Sequence, residues 1–215
     1  MIIGRFVIVS VLMKERGKCM NLPNKLTVIR LIMVPIFIAV YLIPEAMGMK
    51  LPEYHVLWTT MTSVDIIAFF VFALASITDF LDGKLARANN LVTTFGKFVD
   101  PVADKMLVNS ALILLTVDGK IPVLILIIMV LRDTLVDAIR FLAANNNVVI
   151  AASIWGKAKT MTQMIAICLL LLNNPIFSAI HLPMDQIMIY LATFFSVASG
   201  LNYLAGSKDF ITESM

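Results

Sequence analysis

Long apolar segments separated by short polar connections occupy most of the chain. About six of them approach the roughly 20 residues that a helix needs to cross a lipid bilayer. The predicted spans are Leu26 to Ile43, Asp65 to Asp82, Lys97 to Val117, Ile121 to Ala143, Thr160 to Leu172 and Gln186 to Leu204. The pattern predicts an all-α, polytopic membrane protein with six transmembrane helices.

Composition agrees with a membrane setting and narrows the chemistry. Of the 215 residues, 60% are hydrophobic and 14% are charged, compared with about a quarter charged in soluble domains. Cys19 and Cys168 are the only cysteines, and His55 and His181 are isolated in connecting segments. A disulfide framework and a zinc site of Cys or His ligands are therefore not expected, and any bound metal should have oxygen ligands.

Lysine and arginine lie mainly on one side of the predicted spans, which the positive-inside rule makes the cytoplasmic side. That side carries Arg5, Lys14, Arg16, Lys18, Lys25, Arg30, Lys84, Arg87, Lys97, Lys157, Lys159 and Lys208, and the opposite side carries Lys50 and Lys120. Both termini are therefore predicted to be cytoplasmic, in a multi-pass membrane protein.

Residues 1–19 are predicted to be an N-terminal extension that precedes a six-helix domain, residues 20–215. The apolar stretch from Phe6 to Met13 is too short for a signal peptide and lacks a small-residue cleavage site. Met20 is the preferred natural start, with Met1 and Met13 as alternatives. A short interfacial helix with its basic residues on anionic headgroups is the other interpretation of this extension.

Four aspartates, Asp79, Asp82, Asp100 and Asp104, stand at the facing ends of the second and third spans. Residues three or four apart share a helical face, so each pair projects together, and the short connection could bring all four carboxylates together. Such a cluster needs a counter-ion, and hard divalent cations take oxygen ligands. The spacing favours a metal site on the cytoplasmic side, with a proton or ion pathway as the alternative.

Two glycines and a proline accompany these aspartates. Gly83 and Gly96 suit close approach of a bulky ligand to the helix backbone, or simply close helix packing. Pro101 either begins the third helix, with Asp100 as its cap, or lies inside it. In the first case Gly96 would not share a helical face with Asp100.

The full pattern, Asp79-x-x-Asp82-Gly83-x-x-Ala86-Arg87, then eight residues, then Gly96-x-x-x-Asp100-x-x-x-Asp104, resembles the signature of the CDP-alcohol phosphotransferase family. The resemblance implies that family's transmembrane fold and the transfer of a phosphate-ester group from a CDP-linked donor to an alcohol, with release of CMP. It also implies two divalent ions, Mg²⁺ with Mn²⁺ as the alternative.

The resemblance further implies a role for each motif position. Asp79, Asp82 and Asp100 would bind the metals, and Asp104 would be the general base and contact the second metal. The implied donor-binding residues are Gly83, Ala86, Arg87 and Gly96, together with Asn24, Thr27 and Arg30 of an opening segment similar to that of the family. Helix capping by Asn24 and snorkelling of Arg30 to headgroups are the alternatives for that segment.

Two further polar segments bear on the acceptor, Arg132-Asp133-x-x-x-Asp137-x-x-Arg140 and Gly156-Lys157-x-Lys159. The charges of the first fall largely on one side of a helix, so they are predicted to point inward, with an internal ion-pair network as the alternative. For the lysines the alternative is the ordinary positive-inside pattern. Arg132, Arg140, Lys157 and Lys159 together predict a phosphorylated acceptor, since arginine forks and lysines suit phosphate oxygens.

Both segments resemble those of family members that join CDP-diacylglycerol to sn-glycerol 3-phosphate. The expected partners are therefore these two substrates, membrane lipids and a second copy of the chain in a homodimer, with no nucleic acid. Inositol phosphate, serine and phosphatidylglycerol are the alternative acceptors. A membrane transporter is the alternative from another class, although the charges cluster at one surface and not at the midplane.

Overall fold

The computed structural model describes residues 22–49, 51–56, 58–88, 94–145 and 153–207, with the backbone alone described for residues 22–24, 79–88, 94–98 and 145. In chain order the elements are α1 (Leu22–Ala46), β1 (Glu53–Val56), β2 (Thr59–Thr62), α2 (Ser63–Ala88), α3 (Thr94–Val117), α4 (Val123–Asn145), α5 (Ile154–Leu171), α6 (Pro175–Ser178) and α7 (Met184–Gly206). The predictions for residues 1–19 lie outside the described part of the chain.

Each of the six predicted spans corresponds to one long helix. Two helices extend furthest beyond the apolar pattern: α2 continues to Ala88 and α5 begins at Ile154. The helical turns at these ends are polar, so a pattern of hydrophobic residues does not reveal them. At α5 the beginning is fixed by Ser153, whose side chain accepts a hydrogen bond of 3.1 Å from the Gly156 N–H, as N-cap serines do.

The all-α prediction misses a small antiparallel hairpin between α1 and α2. Strands β1 and β2 pair with Glu53 opposite Thr62 and Val56 opposite Thr59. The two strands are rich in Thr, Val and Tyr, which favour extended backbone. At four residues each they were too short to stand out from the surrounding loop in the sequence pattern.

The core is apolar and joins all six long helices. Helices α5 and α7 pack together most extensively, and α1 packs against α2 and α3. Fully buried small residues, Ala192 and Ser196, lie along α7, which allows the two helix backbones to approach closely. On the other side of the core, the Phe37 ring lies 6.2 Å from that of Phe72, measured between centroids.

The outward faces of the helices are also apolar. Large hydrophobic side chains such as Phe70, Leu124 and Phe194 are each more than half exposed, an arrangement that soluble monomers avoid over large patches. In the described part of the chain, two helical segments are long and apolar enough by themselves to cross a membrane, Lys25–Ala46 and Met184–Gly206.

A polar cluster ties the helices together at the end near the hairpin. Lys120, in the turn between α3 and α4, lies 3.1 Å from the Asp65 carboxylate of α2. The Lys120 carbonyl accepts a hydrogen bond of 3.0 Å from the Gln186 amide of α7, and Tyr41 of α1 donates to Asp118. These contacts connect α1, α2 and α7 to the turn between α3 and α4, and the predicted functional residues lie at the other end.

The aromatic packing predicts a measurable stability difference. Phe37 is completely buried, whereas the side chain of Phe70 is 58% exposed. Phe37→Ala should lower the free energy of unfolding by about 3–5 kcal/mol because it leaves a cavity. Phe70→Ala should change it by about 0.5 kcal/mol or less. Denaturant unfolding in detergent micelles measures both, and equal losses would contradict the assignment of Phe37 to the core.

Candidate active site

A cavity of about 680 Å³ opens between α3, α4 and α5 at the end of the molecule away from the hairpin. Among the described residues, five cationic and three acidic side chains line it, alongside apolar and neutral polar groups. The cations are Lys105, Arg132, Arg140, Lys157 and Lys159, and the acids are Asp104, Asp133 and Asp137. The four residues predicted to bind the acceptor's phosphate thus line one cavity together with the predicted general base.

The inner wall of this cavity is a buried ion-pair network centred on Asp133. Lys159 Nζ lies 2.9 Å from Asp133 Oδ1 and 2.7 Å from Oδ2. Arg132 Nη1 donates to Asp133 Oδ1 at 2.9 Å, and its Nη2 donates to the Ser199 hydroxyl of α7. The ion-pair network considered from the sequence therefore exists, and it includes Lys159 of the neighbouring helix.

The cations of the outer wall differ from those of the inner wall in exposure and in pairing. Arg140 and Lys157 are both exposed. Arg140 donates to the Tyr203 hydroxyl, and its guanidinium carbon lies 5.1 Å from the centre of the Tyr203 ring. In the part of the chain that the structure describes, neither cation has an acidic partner, whereas Lys105 is paired with Asp137. Arg140 and Lys157 are therefore the cations whose charge is least compensated.

Asp100 and Asp104 lie one turn apart on α3. The Thr27 hydroxyl of α1 donates to Asp100 Oδ1, and Asp104 lines the cavity. Pro101 lies inside the helix, so it does not begin the helix. Gly96 and Asp100 consequently belong to the same helix, which settles the choice left open by the sequence.

The structure argues against the alternative roles of the opening segment, which were helix capping by Asn24 and snorkelling of Arg30. Thr27 and Arg30 are each only 1% exposed, so Arg30 is inside the protein and does not snorkel to the headgroups. Asn24 lies within the first turn of α1 and not before it, which argues against an N-cap role. Two of the three predicted donor-binding residues of this segment are thus buried near the end of α1 that contacts Asp100.

The two described aspartates suit a hard divalent ion. Both offer carboxylate oxygens, the ligands that Mg²⁺ prefers, and the hydrogen bond from Thr27 orients one of them. Among the described side chains no three acidic, His or Cys groups converge on a common point. The side chains of Asp79, Asp82, Gly83, Ala86, Arg87, Gly96 and Asn24 lie outside the described residues, so their roles stay predictions.

Sequence reasoning missed three side chains that complete the site. Ser199 and Tyr203 are one turn apart on the last helix and contact Arg132 and Arg140. The sequence signal was their spacing of four on a predominantly apolar helix, where polar groups need partners. Lys105, one residue beyond Asp104, stands in the sequence beside the motif, but its pairing with Asp137 depends on how α3 and α4 pack.

The chain belongs to the CDP-alcohol phosphatidyltransferase family. The sequence pattern that defines this family matches residues 20–198, which include the aspartate motif and both basic segments. The family prediction made from the motif is therefore confirmed.

Three relatives carry the same descriptive name, CDP-diacylglycerol--glycerol-3-phosphate 3-phosphatidyltransferase. The protein of Bacillus subtilis is 38% identical over 90% of this chain and 98% of its own. That of Rickettsia felis is 32% identical over 88% of this chain and 97% of its own. That of Mycoplasma pneumoniae is 37% identical over 83% of this chain and 84% of its own.

Proposed function

We propose that this chain transfers the phosphatidyl group of CDP-diacylglycerol to sn-glycerol 3-phosphate, giving phosphatidylglycerophosphate and CMP. The observation that carries the proposal is the cavity in which Asp104 lies with Arg132, Arg140, Lys157 and Lys159. Among the described residues of the cavity the cations outnumber the acids, which a neutral acceptor would not require. The names of relatives that are 32–38% identical support the same donor and acceptor.

The donor end of the reaction is assigned to the aspartate motif. Asp79, Asp82, Asp100 and Asp104 would hold two Mg²⁺ ions, with Mn²⁺ as the alternative. When bound, these ions supply neutralisation of the donor pyrophosphate and of the CMP leaving group. Thr27 contributes by holding Asp100 in one orientation. Gly83, Ala86, Arg87 and Gly96, with Asn24 and Arg30, would contact the rest of the CDP group.

The proposed chemical step is a direct displacement at phosphorus. Asp104 accepts the proton of the acceptor's hydroxyl as the oxygen attacks the phosphatidyl phosphorus. One phosphorus–oxygen bond forms to the acceptor while the bond to CMP breaks, and CMP leaves with the electron pair.

Acceptor recognition is assigned to the cavity's cations. A phosphate monoester carries close to two negative charges at neutral pH. Arg140 and Lys157 lack acidic partners in the described part of the chain, so they can bind it without breaking an ion pair. Arg132 and Lys159 add positive charge behind them but are already bound to Asp133.

The proposed setting is the bacterial cytoplasmic membrane, with the active site and both termini on the cytoplasmic side. The apolar outward faces of the long helices support six spans, and two helices qualify by length and hydropathy alone. The acyl chains of the donor would stay in the bilayer while its headgroup enters the site. A homodimer is proposed from the family resemblance.

The function is tested by CMP release from CDP-diacylglycerol by the purified protein. Release should require sn-glycerol 3-phosphate and should stop when a chelator removes the divalent ions and resume when Mg²⁺ is restored. Serine, inositol phosphate and phosphatidylglycerol are the comparison acceptors. Preference for one of these would overturn the proposed acceptor, and release that persists in chelator would overturn the metal assignment.

Asp104→Asn should abolish most turnover while leaving substrate binding largely unchanged. Because asparagine cannot accept the hydroxyl proton, kcat should fall by about 10²–10⁴-fold. Nucleotide binding, measured by titration with CDP-diacylglycerol, should change little. Near-normal kcat would rule out Asp104 as the general base.

Arg140→Ala should weaken binding of the acceptor. The KM for sn-glycerol 3-phosphate should rise by about tenfold or more, equivalent to about 1.4 kcal/mol of lost binding. The KM for CDP-diacylglycerol should stay within about twofold. Lys25→Ala, an exposed cation of α1 outside the cavity, is the control. Equal losses for both substrates would contradict the acceptor role of Arg140.

A further inference from the structure

We propose that Asp133 is a positioning residue that fixes Lys159 and Arg132 and cancels part of their charge, so that the acceptor's phosphate binds at Arg140 and Lys157. The inference rests on the proposed function and concerns the same cavity. It divides the four cations into an inner pair that is held in place and an outer pair that contacts the substrate.

Burial shows why the inner pair depends on Asp133. The side chains of Lys159, Asp133 and Arg132 are only 6%, 11% and 13% exposed, so water can do little to separate the charges. Removing one member of a buried ion pair leaves the other charge uncompensated, which is strongly unfavourable. Without the carboxylate, two neighbouring cations would repel each other, and each would lose the contact that sets its direction.

Packing confines Arg132 further. Its two terminal nitrogens are occupied by Asp133 and Ser199, and its guanidinium carbon lies 5.9 Å from the centre of the Tyr203 ring. A Cβ atom at Gly200 would come within 3.1 Å of Arg132 Cγ, so the side chain passes close to the α7 backbone. With both terminal nitrogens engaged, Arg132 has fewer N–H groups to offer a phosphate than Arg140, whose hydrogen bond to Tyr203 uses one terminal nitrogen.

The negative charge of Asp133 accounts for the second part of its proposed role, which is to direct where the phosphate binds. Asp133 interacts with two cations, so the inner network keeps a net positive charge that is smaller than that of the two cations alone. The outer cations then provide the strongest attraction for a phosphate. A phosphate drawn deeper, onto an uncompensated Lys159, would move the attached hydroxyl relative to Asp104. Asp133 therefore contributes to where the acceptor binds and not merely to how tightly.

Asp133→Asn separates this role from a purely structural one. In this variant kcat should fall while inhibition by phosphate becomes stronger. The kcat with sn-glycerol 3-phosphate should fall by about tenfold or more, since the hydroxyl is misplaced. Inhibition by inorganic phosphate should become stronger by about threefold or more, since one negative charge has left the cavity wall. A structural defect would weaken phosphate binding together with kcat.

Asp133→Glu and Glu53→Gln provide the companion variant and the control. Asp133→Glu keeps the charge but moves it by one methylene, so kcat should fall while phosphate inhibition stays within about twofold. Glu53 is an exposed acid of β1, at the hairpin end and outside the cavity. Glu53→Gln removes one negative charge away from the site, so kcat and phosphate inhibition should both stay within about twofold.

The outcomes distinguish this inference from the proposed function. If the wild-type protein does not release CMP with sn-glycerol 3-phosphate, the proposed function fails and the role of Asp133 fails with it. If the wild-type protein releases CMP but Asp133→Asn keeps its kcat within about twofold, the positioning role of Asp133 is excluded and the proposed function stands. Should kcat and phosphate inhibition both decline in Asp133→Asn, a structural role replaces the positioning role. A variant too unstable to assay leaves the decision to Asp133→Glu, whose unchanged kcat would overturn the proposal.

Discussion

Charged side chains placed among apolar helices must find partners within the protein, and this constraint organises both ends of the molecule. At one end, Asp65 and Lys120 tie α2 to the turn between α3 and α4. At the other, Asp133 joins α4 to α5 through Lys159. Arg132 then extends the network to α7 through Ser199. Because an unpaired buried charge is costly, these contacts fix how the helices are placed around the cavity.

The cavity follows from that arrangement. Helices α3, α4 and α5 leave a space at the end where α3 carries Asp104, and the described side chains of its walls include more cations than acids. Smaller cavities lie at the hairpin end, but the cavity at the other end is the one that brings Asp104 together with the basic residues. The apolar outer faces then allow a lipid donor to stay in contact with the same end of the protein. Structure and family membership together support catalysis at a membrane surface.

Much of this could be predicted from the sequence, because hydrophobic runs and the aspartate motif are local signals. The six long helices and the family were predicted correctly, and Arg132, Arg140, Lys157 and Lys159 line one cavity with Asp104. Pairing could not be predicted, because the partners of Lys159 and Arg140 come from other helices. The hairpin was missed because its strands are short. The metal-binding roles of Asp79 and Asp82 stay predictions, since their side chains lie outside the described residues.

The central claim is that a cavity with a fixed inner wall and an uncompensated outer pair of cations binds a phosphorylated alcohol beside Asp104. A structure of the protein with sn-glycerol 3-phosphate bound tests it most directly. The account predicts phosphate oxygens within hydrogen-bond distance of Arg140 and Lys157, with the Asp133–Lys159 pair intact and the acceptor's hydroxyl facing Asp104. A phosphate bound outside this cavity, or one that displaces Asp133 from Lys159, would contradict it.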